Sequence, residues 1–285
     1  MNVLEIIKEF LVSAVSVDFY ICLAGFFLFA AWLLKTSLGT KALENSVPRR
    51  NNMPLYLPFV VFFASYLLFG MGSWAASMVF GDLQDWHSVV LNNLIFCISG
   101  SIIVVAIVIL VRPYFVRGLK GFGLNFKTVH KDFLMAFISL VTVWPLMMVA
   151  IRITIYLGQH FYGAEYQMQQ HEGLEVLSEY PQLLPRIFVS VVAVVVVPFL
   201  EELLFRGLFQ TTIRSVLNVK YSAWVSIAIS SGLFVMMHVD ISHWPALYVL
   251  GLGMGYSYEK SGSLFRPIFI HMLFNTTSII SVWIQ

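Results

Sequence analysis

The stretch RIFVSVVAVVVVPFLEELLFRGLFQ, residues 186–210, decides how the rest of the chain is interpreted. Its segment 189–200 is almost wholly apolar, and the whole stretch is long enough to cross the ~30 Å hydrocarbon layer of a bilayer as a helix. Glu201, Glu202 and Arg206 follow inside the same apolar pattern. A charge at the centre of a membrane helix costs about 2.5–3.5 kcal/mol, so such residues persist where they pair or where they act.

The composition extends the membrane interpretation to the whole chain. Of the 285 residues, 59% are hydrophobic and only 11% are charged, and the mean hydropathy is +0.83. A soluble domain has about 25% charged and about 45–50% apolar residues, so this chain has too little polar surface for a water-soluble globule. The net charge of +2 gives no indication of nucleic-acid binding. We predict an all-α, polytopic membrane helix bundle.

Eight segments are apolar and of about the length needed to cross the membrane. They are roughly 17–34, 55–80, 89–111, 133–157, 186–210, 221–238, 244–258 and 264–284. The seventh is short and has glycine at positions 251, 253 and 255. In a membrane bundle, such small residues let neighbouring backbones approach closely.

The charged residues predict the orientation of these helices through the positive-inside rule. If eight spans alternate in direction, most of the 17 lysines and arginines fall on one side, in or beside the loops after the first, third, fifth and seventh spans. The other side receives the acidic loop 158–185. We therefore expect the basic loops in the cytoplasm and both termini outside.

Two later spans also carry polar residues. The sixth ends in FVMMH, residues 234–238, and the eighth contains HMLFN, residues 271–275. Each motif alone has an ordinary explanation: Glu202 and Arg206 can pair on one helix face, a lone histidine can bind a neighbouring carbonyl, and a histidine and asparagine one turn apart can join two helices. Three such groups in one apolar region indicate a functional site.

Together, these motifs resemble those of the CPBP, or ABI, intramembrane endopeptidases, which include the type II CAAX prenyl endopeptidases. The family shows EExxxR, FxxxH and HxxxN or HxxxB on successive core helices, and this chain has all three in order, at 201–206, 234–238 and 271–275. The resemblance covers about residues 186–283. It implies a catalytic cavity among the C-terminal spans of a bundle of about eight transmembrane helices.

The resemblance also implies a role for each motif residue. Glu201 would be the general base that takes a proton from water, and His238 would help to hold that water. His271 and Asn275 would donate hydrogen bonds to the tetrahedral oxyanion. The supporting residues would be Glu202, Arg206 and Phe234. These roles are chemically reasonable, because a low-dielectric site disfavours a charged carboxylate and so makes it a better base, and preorganised donors stabilise developing negative charge.

The hypothesis is therefore a glutamate-type intramembrane endopeptidase that needs no metal or other cofactor. Its partners would be a membrane-anchored or membrane-embedded peptide or protein substrate and the lipid bilayer, with no nucleic acid, in the plasma membrane of a bacterium. Two alternatives stay open. Glutamate and two histidines could instead bind zinc, although HExxH is absent. The polar groups could also join helices in a non-enzymatic membrane protein, such as an immunity factor or a scaffold.

Two further expectations concern organisation. Residues 1–130 are expected to form N-terminal transmembrane helices with cytoplasmic basic loops, and residues 131–285 the CPBP-like catalytic bundle with the motif-bearing core 186–283. Within the first part, residues 121–124, Gly-Phe-Gly-Leu, predict an interfacial segment against anionic head groups or an ordinary surface loop.

The depth of the motif residues in the membrane presents a difficulty. At ~1.5 Å per residue, His238 lies about 27 Å beyond Lys220, whereas His271 lies about 7–8 Å beyond Arg266. The two histidines can meet only if the sixth helix starts outside the hydrocarbon, tilts strongly or bends.

Overall fold

The computed structural model of the protein describes residues 17–81, 83, 86–168 and 172–283. These residues form helices and loops, with no strand among them and one isolated bridge between Asn51 and Phe115. The helices are α1 Val17–Lys35, α2 Leu57–Phe80, α3 Trp86–Val111, α4 Leu119–Phe122, α5 Val129–Tyr162, α6 Glu172–Glu179, α7 Leu183–Val216, α8 Ser222–Val235, α9 Trp244–Ser261 and α10 Phe265–Trp283.

Each of the eight predicted segments is a helix in the structure, and the all-α polytopic membrane bundle is confirmed. In the described part of the chain, α1, α2, α3, α5 and α7 are long and apolar enough to cross a membrane. Helix α8 is apolar but only 14 residues long. The count of about eight spans therefore stays a prediction.

Helix α5 lies centrally and packs against α1, α9 and α10. Its 34 residues extend for about 51 Å at ~1.5 Å per residue, so its ends project beyond the hydrocarbon layer. Pro145 lies inside the helix, and Gly25 of α1 sits directly against Pro145 and the carbonyl of Val141. Because a side chain at Gly25 would overlap these atoms, the close approach of α1 and α5 depends on glycine.

The glycines of α9 bring it close to its neighbours, as the sequence predicted. A Cβ atom at Gly251 would lie 3.0 Å from Cβ of Ser231 in α8, and one at Gly253 would lie 2.7 Å from Val143 in α5. Helix α9 can therefore pack tightly against two helices at once.

Helix α7 is irregular in two places. Its segments Val192–Val196 and Leu203–Gln210 are π-helical, and a regular α-helical stretch, Val197–Glu202, lies between them. Such π-helical segments are rare and occur frequently at functional sites. The first one precedes Pro198, which has no N–H to donate to a carbonyl in the preceding turn.

The loops that carry many of the basic residues meet at one end of the bundle. Arg49 and Arg214 both reach Glu259 at the end of α9, and Lys260 donates to the carbonyl of Ala42. The structure thus groups the first, fifth and seventh loops, as the positive-inside analysis required. That this end faces the cytoplasm stays a prediction.

Residues 121–124 do not form the exposed surface loop that was one of the two predictions, and their position relative to the head groups stays a prediction. Phe122 is fully buried and Leu124 nearly so. A side chain at Gly207 of α7 would overlap the Phe122 ring, and the carbonyl of Gly123 accepts a hydrogen bond from the N–H of Leu264 at 2.9 Å. The Phe122 ring occupies the space that a side chain at position 207 would fill. A local sequence pattern does not reveal this contact between distant residues.

Candidate active site

Helix α7 presents two consecutive carboxylates with different surroundings. Glu201 and Glu202 end the regular stretch between the two π-helical segments. The Glu202 side chain is fully buried, whereas 22% of the Glu201 side chain is exposed. Consecutive helical residues point about 100° apart, so one carboxylate can be fixed inside the bundle while its neighbour stays accessible.

Arg206 holds Glu202 in place. Its Nη1 lies 2.9 Å from Glu202 Oε1, as the spacing of four residues predicts, and both side chains are fully buried. Its Nη2 donates to the carbonyl of Gly251 in α9 at 3.2 Å, and its guanidinium lies 4.8 Å from the ring centre of Phe234. A desolvated ion pair is tolerable only when further hydrogen bonds satisfy it, and the Gly251 carbonyl supplies one.

His271 of α10 lies between the two carboxylates. Its Nδ1 is 3.2 Å from Glu202 Oε1 and its Nε2 is 3.9 Å from Glu201 Oε2. An ionised Glu202 only accepts hydrogen bonds. Opposite an ionised Glu202, Nδ1 of His271 therefore carries the hydrogen and donates a hydrogen bond to the carboxylate. The other nitrogen is thereby directed at Glu201. One imidazole connects the fixed carboxylate with the accessible one.

The Phe234 ring lies between His238 and this group and contacts both. Helix α8 ends at Val235, three residues earlier than the predicted span, and His238 lies in the following turn, where Trp244 donates to its carbonyl at 2.8 Å. The buried Phe234 ring lies 5.0 Å from the His238 ring and 5.6 Å from the His271 ring, between centres. The Phe234 ring thus lies near both histidines, whereas the start, tilt or bend of the sixth helix relative to the membrane stays a prediction.

Asn275, one turn beyond His271, binds the backbone of α7. Its Nδ2 donates to the carbonyl of Ala193 at 2.7 Å. The π-helical partner of that carbonyl would be the N–H of residue 198, which is a proline and has none. The asparagine amide supplies the missing donor and joins α10 to α7. The oxyanion role that the resemblance implies for Asn275 would need its second N–H.

Several buried polar atoms of this group make no hydrogen bond with the described residues. They include Oε2 of Glu201, Oε2 of Glu202 and Nε of Arg206. Nearly all buried polar atoms of folded proteins are hydrogen-bonded to protein or to ordered water. Three such atoms lie together in this group of residues.

Ser230 of α8 and the residue types that bind metals do not add to this group in the described part of the chain. Ser230 donates to the carbonyl of Phe205 at 2.7 Å, a helix-packing contact. Across the described ranges, no three His, Cys, Asp or Glu residues are grouped so that they could hold a metal ion. Sequence analysis missed Tyr66 of α2, whose O–H lies 3.9 Å from Sδ of Met237, the residue before His238. Tyr66 lies in the N-terminal half, where hydropathy was the only signal.

Comparison with known proteins supports the motif assignment. Residues 183–277 match the family model described as type II CAAX prenyl endopeptidase, Rce1-like. A curated protein of Bacillus subtilis (strain 168), named "Putative membrane peptidase YdiL", is 27% identical over 112 residues, which is 39% of this chain and 43% of that protein. The match thus spans less than half of that relative. No solved structure matches the chain. The predicted resemblance is confirmed for the segment that carries the three motifs.

Proposed function

Because residues 183–277 form a CAAX-protease-like segment, we propose that this chain is an intramembrane endopeptidase in which Glu201 activates water. The observation that carries the proposal is the position of His271 between two unlike carboxylates. Glu202 is fixed by Arg206, whereas Glu201 forms no ion pair with any arginine or lysine in the described residues.

Glu201 is the better base of the two carboxylates. Oε1 of Glu202 already accepts from Arg206 and His271, and its side chain is out of reach of solvent. Glu201 is partly exposed and faces only an imidazole within ion-pair distance. A general base must reach the proton that it removes, which favours the partly exposed carboxylate for this role.

The proposed reaction uses these groups in sequence. Glu201 takes a proton from water, and the water oxygen attacks the carbonyl carbon of the peptide bond. When His271 is doubly protonated, its Nε2–H stabilises the resulting oxyanion while Glu202 holds Nδ1–H. Glu201 then passes its proton to the amide nitrogen, the C–N bond breaks, and a carboxylic acid and an amine are released. His238, beside Phe234, helps to position the water.

The site's surroundings favour a substrate that lies in the membrane. Glu201 is part of α7, which is long and apolar enough to span the bilayer, and the sequence on either side of the Glu201–Glu202 pair, 189–200 and 203–205, is almost wholly apolar. A membrane-anchored or membrane-embedded peptide can reach this site from the lipid without first crossing water.

The test is cleavage of a peptide library by the purified full-length chain in lipid nanodiscs. We expect the wild type to cleave and Glu201→Gln to lose at least about 10³-fold in turnover, with an unchanged helical circular dichroism spectrum. Glu175→Gln, which changes an exposed carboxylate on α6, is the matched control and should cleave as the wild type does. Wild-type turnover in Glu201→Gln contradicts the proposal.

A non-enzymatic membrane protein is the second candidate, and one observation favours it. The Asn275 amide joins α10 to α7, and the Arg206 guanidinium joins α7 to α9, so part of the polar group does connect helices. On this alternative the wild type cleaves no library peptide, and Glu201→Gln retains the biological activity of the chain.

A further inference from the structure

Tyr66 projects from α2 with a poorly satisfied hydroxyl group. Among the contacts of the described residues, its O–H has one hydrogen-bond partner, Sδ of Met237 at 3.9 Å. A thioether sulfur is a weak acceptor. A tyrosine hydroxyl in an apolar environment usually has a better partner, and Tyr66 is half exposed in the middle of α2, a helix long and apolar enough to cross a bilayer.

Two sets of contacts place Tyr66 beside the candidate active site. Met237, its partner, directly precedes His238 in the turn after α8. The Tyr66 ring packs 5.1 Å from Phe62, and Phe62 packs 6.3 Å from Phe209 in the second π-helical segment of α7, between ring centres. Helix α2 is thereby packed against the helix that carries Glu201.

The candidate donors of the motifs are partly occupied. Nδ2 of Asn275 donates to the carbonyl of Ala193, and Nδ1 of His271 faces Glu202. An oxyanion formed beside Glu201 therefore has few uncommitted donors within the motif-bearing segment. A phenol O–H from a neighbouring helix is of the chemical type that such a site uses.

We propose that the Tyr66 hydroxyl donates a hydrogen bond to the scissile carbonyl oxygen of a peptide bound at Glu201. This inference rests on the proposed endopeptidase function. Tyr66 exchanges its weak thioether contact for the substrate oxygen and strengthens the new bond as negative charge develops there. Helix α2, outside the three motifs, thereby contributes a substrate-contacting group to the site.

The test uses the library peptide that the wild-type chain cleaves fastest, with the full-length protein in nanodiscs. Tyr66→Phe keeps the ring and removes only the hydroxyl group. We expect kcat to fall by at least about tenfold while KM changes little, because the lost bond acts mainly in the transition state. Tyr56→Phe removes a second phenol at the N-terminal end of α2, about 15 Å away along the helix at ~1.5 Å per residue, and should leave kcat unchanged.

The outcomes separate this inference from the proposed function. If Glu201→Gln abolishes cleavage but Tyr66→Phe cleaves at the wild-type rate, Tyr66 has no such role and the endopeptidase assignment stands. An equal loss in Tyr66→Phe and Tyr56→Phe also overturns the inference, because it shows a general perturbation of α2. If the wild type cleaves no library peptide, or Glu201→Gln cleaves normally, both proposals fail together.

Discussion

Two buried ionic clusters lie at different places in the bundle, and they differ in the balance between their carboxylates and their cations. The site cluster consists of Glu201, Glu202, Arg206 and His271. The basic-end cluster consists of Arg49, Arg214, Tyr258 and Glu259. In the site cluster two carboxylates share one imidazole, and one of them, Glu202, pairs with a guanidinium. In the basic-end cluster two guanidinium groups share one carboxylate.

The basic-end cluster joins loops and helices at one end of the bundle. Glu259 is 3.1 Å from Arg214 Nε and 3.8 Å from Arg49 Nη1. Arg49 also stacks 3.5 Å from the Tyr258 ring centre and donates to the Tyr258 carbonyl at 2.9 Å. Arg214 donates to Ser222 and so connects α7 with α8. Because its carboxylate faces only permanent cations, this cluster has no group suited to exchange protons near neutral pH.

The site cluster differs because one of its carboxylates faces only a histidine. Glu201 and Glu202 carry two negative charges when ionised, and Arg206 compensates one of them. The second carboxylate, Glu201, has the His271 imidazole rather than a permanent cation within ion-pair distance among the described residues. The comparison teaches that burial of charge alone does not mark a reactive site. The proposed active site is distinguished instead by its incomplete set of permanent counter-ions.

The largest effect on stability is expected from Arg206→Ala. The change leaves Glu202 fully buried without its ion-pair partner, and loss of one member of a buried pair typically costs about 3–5 kcal/mol. Reversible unfolding in mixed detergent micelles measures the change in free energy. Arg117→Ala, in an exposed loop, is the control and should change it by less than about 0.5 kcal/mol. Equal values for the two variants would show that the pair contributes little.

A smaller effect on stability, with none on turnover, is expected from Glu259→Gln. The variant keeps the side-chain shape but removes the anion between Arg49 and Arg214, which should cost about 1–3 kcal/mol. The unfolding experiment gives the free energy, and cleavage of the same library peptide below the unfolding midpoint gives the turnover number. A loss of turnover in the folded variant would contradict a purely structural role for the basic-end cluster.

The tight packing behind the site cluster is tested by Gly251→Ala. The added methyl would lie 3.0 Å from Ser231 Cβ and 3.4 Å from Arg206 Nη2, and overpacking of this kind costs about 1–3 kcal/mol. Gly232→Ala in α8 is the matched control, because a Cβ there meets no atom within 4 Å. The control should stabilise the helix by about 0.5–1 kcal/mol. Destabilisation of similar size in both variants argues against a specific contact at Gly251.

The smallest effect is expected from Asn275→Ala, which removes the hydrogen bond to the Ala193 carbonyl. One such bond contributes about 0.5–1.5 kcal/mol to the free energy of unfolding. Thr277→Ala, at an exposed position on the same helix, serves as the control. If Asn275→Ala unfolds at the wild-type detergent concentration, the bond does not join α7 to α10 in the way described.

Much of the site was predictable from the sequence, because its signals are local. The spacing of Glu202 and Arg206 predicted their ion pair, and the glycines at 251 and 253 predicted close helix packing. The early end of α8 was not predictable, since the apolar run 233–237 contains no glycine or proline, and the ring contacts of Phe234 are made with distant residues. The insertion of Phe122 beside Gly207 and the approach of Tyr66 likewise depend on contacts between segments far apart in the chain.

The most direct measurement compares the turnover of Glu201→Gln with that of Glu259→Gln, in the same nanodiscs and with the same library peptide. Each variant neutralises one carboxylate in one of the two clusters. We predict that Glu201→Gln is folded and at least about 10³-fold slower than the wild type, whereas folded Glu259→Gln cleaves at the wild-type rate. Cleavage by Glu201→Gln at the wild-type rate would contradict the account.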